Sequence, residues 1–367
     1  MWQETIDLPS ASPGSYTRLT TWRYGKEGGQ KVYIQAALHA DEWPGLLMLH
    51  HLHAQLEQAT IRGEIVIVPY ANPIGMRQFL GGYQLGRFDF DYSGNFNRGY
   101  LNLGEAALPY LDRDALAAQD TAAQTQTIRS AFKQALDAWQ PQLESEHLRK
   151  TLQLLSYDAD VVIDVHCDAA ACAHAFTNER HQETGEALAQ SLNLDVLLLE
   201  DDPGVIAFDE ASASPWWRLE RALDLKLPYA CFSTTLELRG ERDVSETLAQ
   251  QDAEGVMRFL QHIGIVDGPT LADNNTKVGT PLAGVGRILA PHSGLLDFKV
   301  AAGARVCQGD VVANLIDLDD PNATPTPLTA TTDGIVYALG RNHLVRPGHV
   351  VVQIAGQKAI SAGTLAY

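Results

Sequence analysis

The stretch "KVYIQAALHADEWPGLLMLHHLHAQLEQA", residues 31–59, carries two periods in succession. Its first part, "KVYIQAAL" (31–38), is a nearly continuous apolar run of the length of a buried strand. Its last part, "PGLLMLHHLHAQLEQA" (44–59), has helical apolar spacing, and Pro44 suits a first-turn position. A helix running from His39 through Glu42 would put Pro44 in its interior, which costs ~3 kcal/mol or more. His39 and Glu42 are therefore expected in the turn between strand and helix. That turn is the carboxyl end of a strand, where open α/β sheets hold their ligands.

The same alternation continues on both sides of a long helical middle. "GEIVIVPYANP" (63–73) reads as a buried strand running into a turn, and residues 114–156 as mostly helix. "ADVVIDVHCD" (159–168) is a further apolar strand. "ETGEALAQSLN" reads as helix, "LDVLLLE" as strand, "PWWRLERALDLKL" as helix and "YACFSTTLELRG" (229–240) as strand, with one more helix after it. Strands alternating with helices predict an α/β domain, a mostly parallel mixed sheet flanked by helices. After "DGPTLADNNTKVGTPL" (267–282), which reads as a linker, Gly and Pro become frequent and only short strand patterns remain. The expected organisation is residues 1–269 as one domain and 270–367 as an all-β domain.

Composition narrows the function classes. The chain has 367 residues, 45% hydrophobic and 20% charged, ordinary for a globular protein. Its formal net charge is −18, and no concentrated basic surface is visible, so a nucleic-acid partner is not expected. Four cysteines (Cys167, Cys172, Cys231, Cys307) show no paired framework, which suggests a reducing compartment. With no signal-peptide pattern and no long apolar span, the expected location is cytoplasmic, away from the membrane.

Four pieces of sequence carry candidate chemistry. His39 and Glu42 are one; the competing reading is a helix start whose acids, Asp41 and Glu42, favour the helix dipole. His166 ends the apolar strand "VVIDVHCD", with Asp164 on the same face; the competing reading is a histidine hydrogen-bonded at the core edge. Glu237 interrupts the apolar strand "FSTTLELRG", and glutamate is rarely buried without a partner or a task. Its competing reading is a salt bridge to Arg239. "GRFDFDYSGNFNRGY" (86–100) is a long Gly- and aromatic-rich loop holding Arg87, Asn97 and Arg98. Three of these pieces fall at carboxyl ends of separate predicted strands, so one sheet edge would gather them. Two histidines and a carboxylate match an open catalytic zinc site, and arginines suit an anionic substrate or an oxyanion.

In this order, H-x-x-E after a strand, the "NP" turn, an Arg ahead of the "NR" pair, "D-x-H" and "E-x-R-G" make the chain resemble the succinylglutamate desuccinylase/aspartoacylase family. These are relatives of the zinc carboxypeptidases, and the resemblance spans about residues 30–265. It implies one Zn2+ per chain, bound by His39, Glu42 and His166, with Glu237 as general base. Arg87 or Arg98 would contact substrate or oxyanion, Arg87 first, and Asn97 with Arg98 would hold a carboxylate. The family often reads "DLNR" where this chain has "NFNR", so no acid stands at Asn95 or Phe96; Asp89 and Asp91 are the substitutes for orienting His39. Ala40 stands where the family typically has Gly. The implied activity is zinc-dependent hydrolysis of a small N-acyl amino acid. Peptide cleavage by a zinc carboxypeptidase and an inactive binding protein are the alternatives, and a homo-oligomer is compatible with the sequence. The C-terminal segments resemble the two halves of a biotinyl/lipoyl-type β fold. The place of the carrier lysine, around Leu318–Pro321, has none, so a structural or substrate-shaping role is expected.

Overall fold

The computed structural model describes residues 1–92, 94–201, 207–272 and 277–360. Residues 273–276, inside the expected linker, and the last seven residues of the chain lie outside this set. The chain divides into two compact units that do not follow chain order. The first comprises residues 1–166, 204–235 and 260–270; the second comprises 167–203, 236–259 and 271–367.

In the first unit, strand Lys31–Ala36 is buried along its whole length. It pairs in parallel with Glu64–Val68 and with Val161–Asp168. Burial on both faces explains why these strands read as apolar runs rather than alternating patterns. Two N-terminal strands, Trp2–Leu8 and Thr17–Gly25, extend the sheet antiparallel, Thr17–Gly25 pairing with Glu64–Val68. Neither was anticipated from the sequence; Trp2–Leu8 is mostly exposed and polar and carries little apolar signal. The sheet is thus mixed, as expected.

Helix Pro44–Leu56 follows Lys31–Ala36 and starts with proline in its first turn. At Gly45 the helix approaches the sheet so closely that a Cβ would sit 2.9 Å from both Ala36 and Val165. The long helical middle is three helices, Arg113–Ala117, Thr121–Ala138 and Glu144–Ser156. The breaks have local causes. Asp112 and Asp120 cap new helices by accepting from Ala115 and Ala123 N–H, each at 2.9 Å. Pro141 falls in the gap before the third.

One helix departs from expectation. It runs Phe208–Leu223, starting seven residues before Pro215, which lies inside it. The Glu210 carboxylate accepts from the Ala207 N–H at 2.8 Å, which fixes the start upstream of the proline.

The second unit holds parallel strands His174–Asn178, Val196–Glu200 and Thr280–Pro281. Its C-terminal part is all-β among the described residues apart from one short 3-10 turn, Leu282–Gly284. One antiparallel sheet is built on Val285–Leu289, Val350–Ala355 and Gly334–Leu339. The other is built on Thr326–Thr329, Val311–Ile316 and Gly294–Phe298. Buried Ile288, Leu296, Val312, Leu315, Val336 and Val351 pack between them. No helix of the described residues is long and apolar enough to cross a membrane.

Candidate metal centre

His39 and Glu42 lie in the turn between Lys31–Ala36 and Pro44–Leu56, and His166 near the end of the neighbouring strand. All three are buried. The chain leaves the first strand through Ala37, whose φ of 54° is a left-handed conformation that alanine adopts only under constraint. Buried Asn72, from the "NP" turn, supplies part of that constraint by donating to the Leu38 carbonyl at 2.9 Å and accepting from Gly75 N–H at 2.8 Å. The methyl group of Ala40 fits because Gly86 stands opposite: a Cβ at Gly86 would come within 2.5 Å of the Ala40 Cβ.

The side chains converge. His39 Nδ1 lies 2.9 Å from Glu42 Oε1, and His166 Nδ1 lies 2.7 Å from Glu42 Oε2. Ligand-type atoms of the three residues all lie within 4.8 Å of one another, and this is the one such group among the described residues. Behind the rings, His39 Nε2 lies 2.9 Å from Asn95 Oδ1. His166 Nε2 lies 2.9 Å from Asp164 Oδ2. Asp164 in turn accepts from Gln35 at 2.9 Å, and Gln35 accepts from the Tyr33 hydroxyl at 2.7 Å. With its Nε2–H directed at Asn95, His39 turns an Nδ1 lone pair toward Glu42, and His166 brings its Nδ1 to the other oxygen of the same carboxylate. Two ring nitrogens and a carboxylate facing a common point repel one another unless protons or a cation lie between them. The residues therefore fit a divalent cation.

In the bare site the charges compensate one another. Burial pushes the His39 pKa down, with Glu42 opposing. Burial alone would raise the Glu42 carboxyl, but His39 and His166 outweigh it and hold Glu42 well below the usual range. For His166, burial is outweighed by Asp164 and Glu42, and the pKa is raised well above its ordinary value.

The loop of residues 86–100 folds back on itself through the Phe88–Asn95 bridge. The Phe96 N–H donates to the Arg87 carbonyl at 3.1 Å. This brings Arg87 to Glu42 Oε1, at 2.5 Å from its Nη2. Asn97 is buried, and its Oδ1 accepts from Phe208 N–H at 2.8 Å, in the first turn of Phe208–Leu223. Arg98 donates to the Asn97 carbonyl at 2.6 Å. Asn95, rather than Asp89 or Asp91, stands behind His39; Asp89 instead accepts from Asp91 N–H at 3.0 Å. Sequence reasoning passed over Asn95 because the contact joins residues 56 positions apart.

Glu237 belongs to the second unit, partly buried on strand Phe232–Gly240 between fully buried Leu236 and Leu238. Arg239, the alternative partner proposed for it, bonds to Asp252. A φ of 63° takes Arg239 out of the extended conformation that would have set it directly beside Glu237.

Known proteins resemble the chain over most of its length. Residues 28–263 match the succinylglutamate desuccinylase/aspartoacylase catalytic domain. The chain is 23% identical over 329 residues to the N-alpha-acetyl-L-2,4-diaminobutyric acid deacetylase of Halomonas elongata, covering 89% of this chain and 82% of the relative. It is similar to a crystal structure of a family protein from Shewanella amazonensis (TM-score 0.82, 27% identity, 97% of this chain and 98% of that one). The fold is shared with the ectoine utilization protein EutE (DoeB) of Ruegeria pomeroyi (TM-score 0.67, 19% identity, 97% and 95% covered). The chain belongs to the succinylglutamate desuccinylase/aspartoacylase family.

Proposed function

We propose that the chain is a zinc-dependent hydrolase cleaving the amide bond of a small N-acyl amino acid or a related amide bearing a carboxylate. The observation that carries this reading is the convergence of both histidine Nδ1 atoms on Glu42. His39, Glu42 and His166 would hold the ion, one per chain. Bound there, zinc supplies a Lewis acid and lowers the pKa of water toward neutrality. Glu237 takes the proton of the attacking water and returns it to the leaving amine. Arg87 stabilises the oxyanion. Asn97 turns its carbonyl to Phe208 N–H, which leaves its amide N–H groups for a carboxylate, with Arg98 beside it. Residues 1–269 form the catalytic domain in this reading, and 270–367 an accessory biotinyl/lipoyl-like domain without a carrier role. The deacetylase relative supports the substrate class, since the compound in its name is a small N-acyl amino acid.

Metal analysis and a screen of N-acyl amino acids against short peptides test the proposal. About one zinc per chain is expected, with hydrolysis of the acylated amino acids. Replacing His50, His51 or His53, which lie on helix Pro44–Leu56, should release no metal. Cleavage of peptides alone would favour a carboxypeptidase. Zinc binding without hydrolysis would leave a binding protein, and a chain without affinity for zinc would end the reading.

A further inference from the structure

We propose that Asn95 governs how tightly the metal is held, by giving His39 an uncharged partner where His166 has a carboxylate. The inference rests on the zinc-site reading and deepens it. From the ligand side the two histidines are alike, each turning Nδ1 to Glu42 at 2.9 and 2.7 Å. They differ behind the ring, where the Asp164 carboxylate lies 2.9 Å from His166 Nε2 as an ion-pair partner and the Asn95 amide is hydrogen-bonded to His39 Nε2 at 2.9 Å.

The Asn95 atom facing His39 is identified by its other partner. The backbone N–H of Asn97 can only donate, and it donates to the same atom at 2.8 Å. That atom is therefore the carbonyl oxygen, and His39 Nε2 must carry the hydrogen. Asn95 thus selects the tautomer that leaves Nδ1 for a metal. What it does not supply is charge. A carboxylate accepting an imidazole N–H forms a charge-assisted bond, roughly twice as strong as a neutral one, and raises the basicity of the ligating nitrogen. An amide oxygen shared between two N–H donors does less.

The neighbouring cations act in the same direction. Arg87 lies on Glu42 Oε1 at 2.5 Å and offsets one ligand charge. Arg149, largely buried, donates to the Asn95 carbonyl at 3.3 Å and brings a second cation to the loop. His39 is then the weaker ligand of the pair, and the metal leaves through it first. Asn95 acts through His39 and is a positioning residue.

The test measures zinc affinity and release rate on the full chain by competition with a chromophoric chelator, with melting of the zinc-free proteins as a fold control. Asn95→Asp keeps both acceptor contacts and adds the charge, so zinc should bind roughly tenfold tighter and leave correspondingly more slowly. Asn95→Ala loses the tautomer lock and should bind about 10–100-fold more weakly. Asp164→Ala, which removes a charged partner where Asn95→Ala removes a neutral one, should cost more than Asn95→Ala. Should Asn95→Asp not fold, the order of the other two variants decides. An Asn95→Asp protein that binds zinc like the wild type, or equal losses in Asn95→Ala and Asp164→Ala, would overturn the proposal while leaving the zinc site standing. A wild-type chain without zinc affinity would overturn both.

Discussion

At the scale of single residues, the roles proposed for Glu237 and Arg87 separate catalysis from metal binding. Glu237→Gln keeps size and most hydrogen-bonding capacity but cannot take a proton from water. Fold and zinc should survive, while turnover per zinc-loaded molecule falls about 10²–10⁴-fold. Near-normal turnover would remove Glu237 from the mechanism. Arg87→Ala forecasts a different pattern. The guanidinium rests on Glu42, so its loss makes that carboxylate no poorer a ligand, and metal content should hold. Turnover should fall about 10²–10³-fold through the lost oxyanion partner; loss of zinc instead would assign Arg87 to holding Glu42 in place. His39, Glu42, His166 and Asp164 were legible in the sequence because each stands out against an apolar strand or its end. Asn95 was not, since a polar residue in a polar loop declares its task only through the residue it meets far along the chain.

At the scale of elements, the N-terminus of helix Phe208–Leu223 links the fold to the proposed substrate site. Asn97 Oδ1 satisfies a first-turn N–H that would otherwise be buried without an acceptor. Asn97→Ala should therefore lower global stability by about 1–2 kcal/mol, the size of a lost cap. It should also raise KM for the acylated amino acid if the amide N–H groups hold the carboxylate. A thermal melt unchanged to within ~0.5 kcal/mol would deny the capping role. The same helix shows where sequence reading gives out. Pro215 is a good first-turn residue, so the segment "PWWRL" looks like a start; the true start is set by Glu210 and by Asn97, 111 residues away from Phe208. The helical middle was legible in content but not in division. Its Asp112 and Asp120 caps are local signals that the alanine- and glutamine-rich composition around them masks.

For the whole molecule, the strand–helix alternation was readable because strands buried on both faces announce themselves as apolar runs, whereas Trp2–Leu8 does not. Stability should carry the mark of one half-buried acid. Burial, and then the neighbouring charge of Asp209, push the Glu210 carboxyl up to about 8 from its ordinary 4.5. The folded state thus holds a proton that the unfolded chain gives up as pH rises through 4.5. Between those two values the folded form binds more protons, so its stability falls with rising pH; it is fully retained below about 4.5 and levels off above about 8. Glu210→Gln keeps an oxygen to accept from Ala207 N–H but has no proton to lose. Metal binding is common to both proteins, so the difference between their stability curves reports this carboxyl together with Asp209, whose charge acts on it. The curves should run together near pH 4 and separate toward pH 8, the Gln variant becoming more stable by the order of 1–3 kcal/mol. Denaturant melts at constant zinc from pH 4 to pH 9 measure it. A gap that stays constant with pH, or one that closes as pH rises, would mean that Glu210 is ionised in the folded protein at least as readily as in the unfolded one.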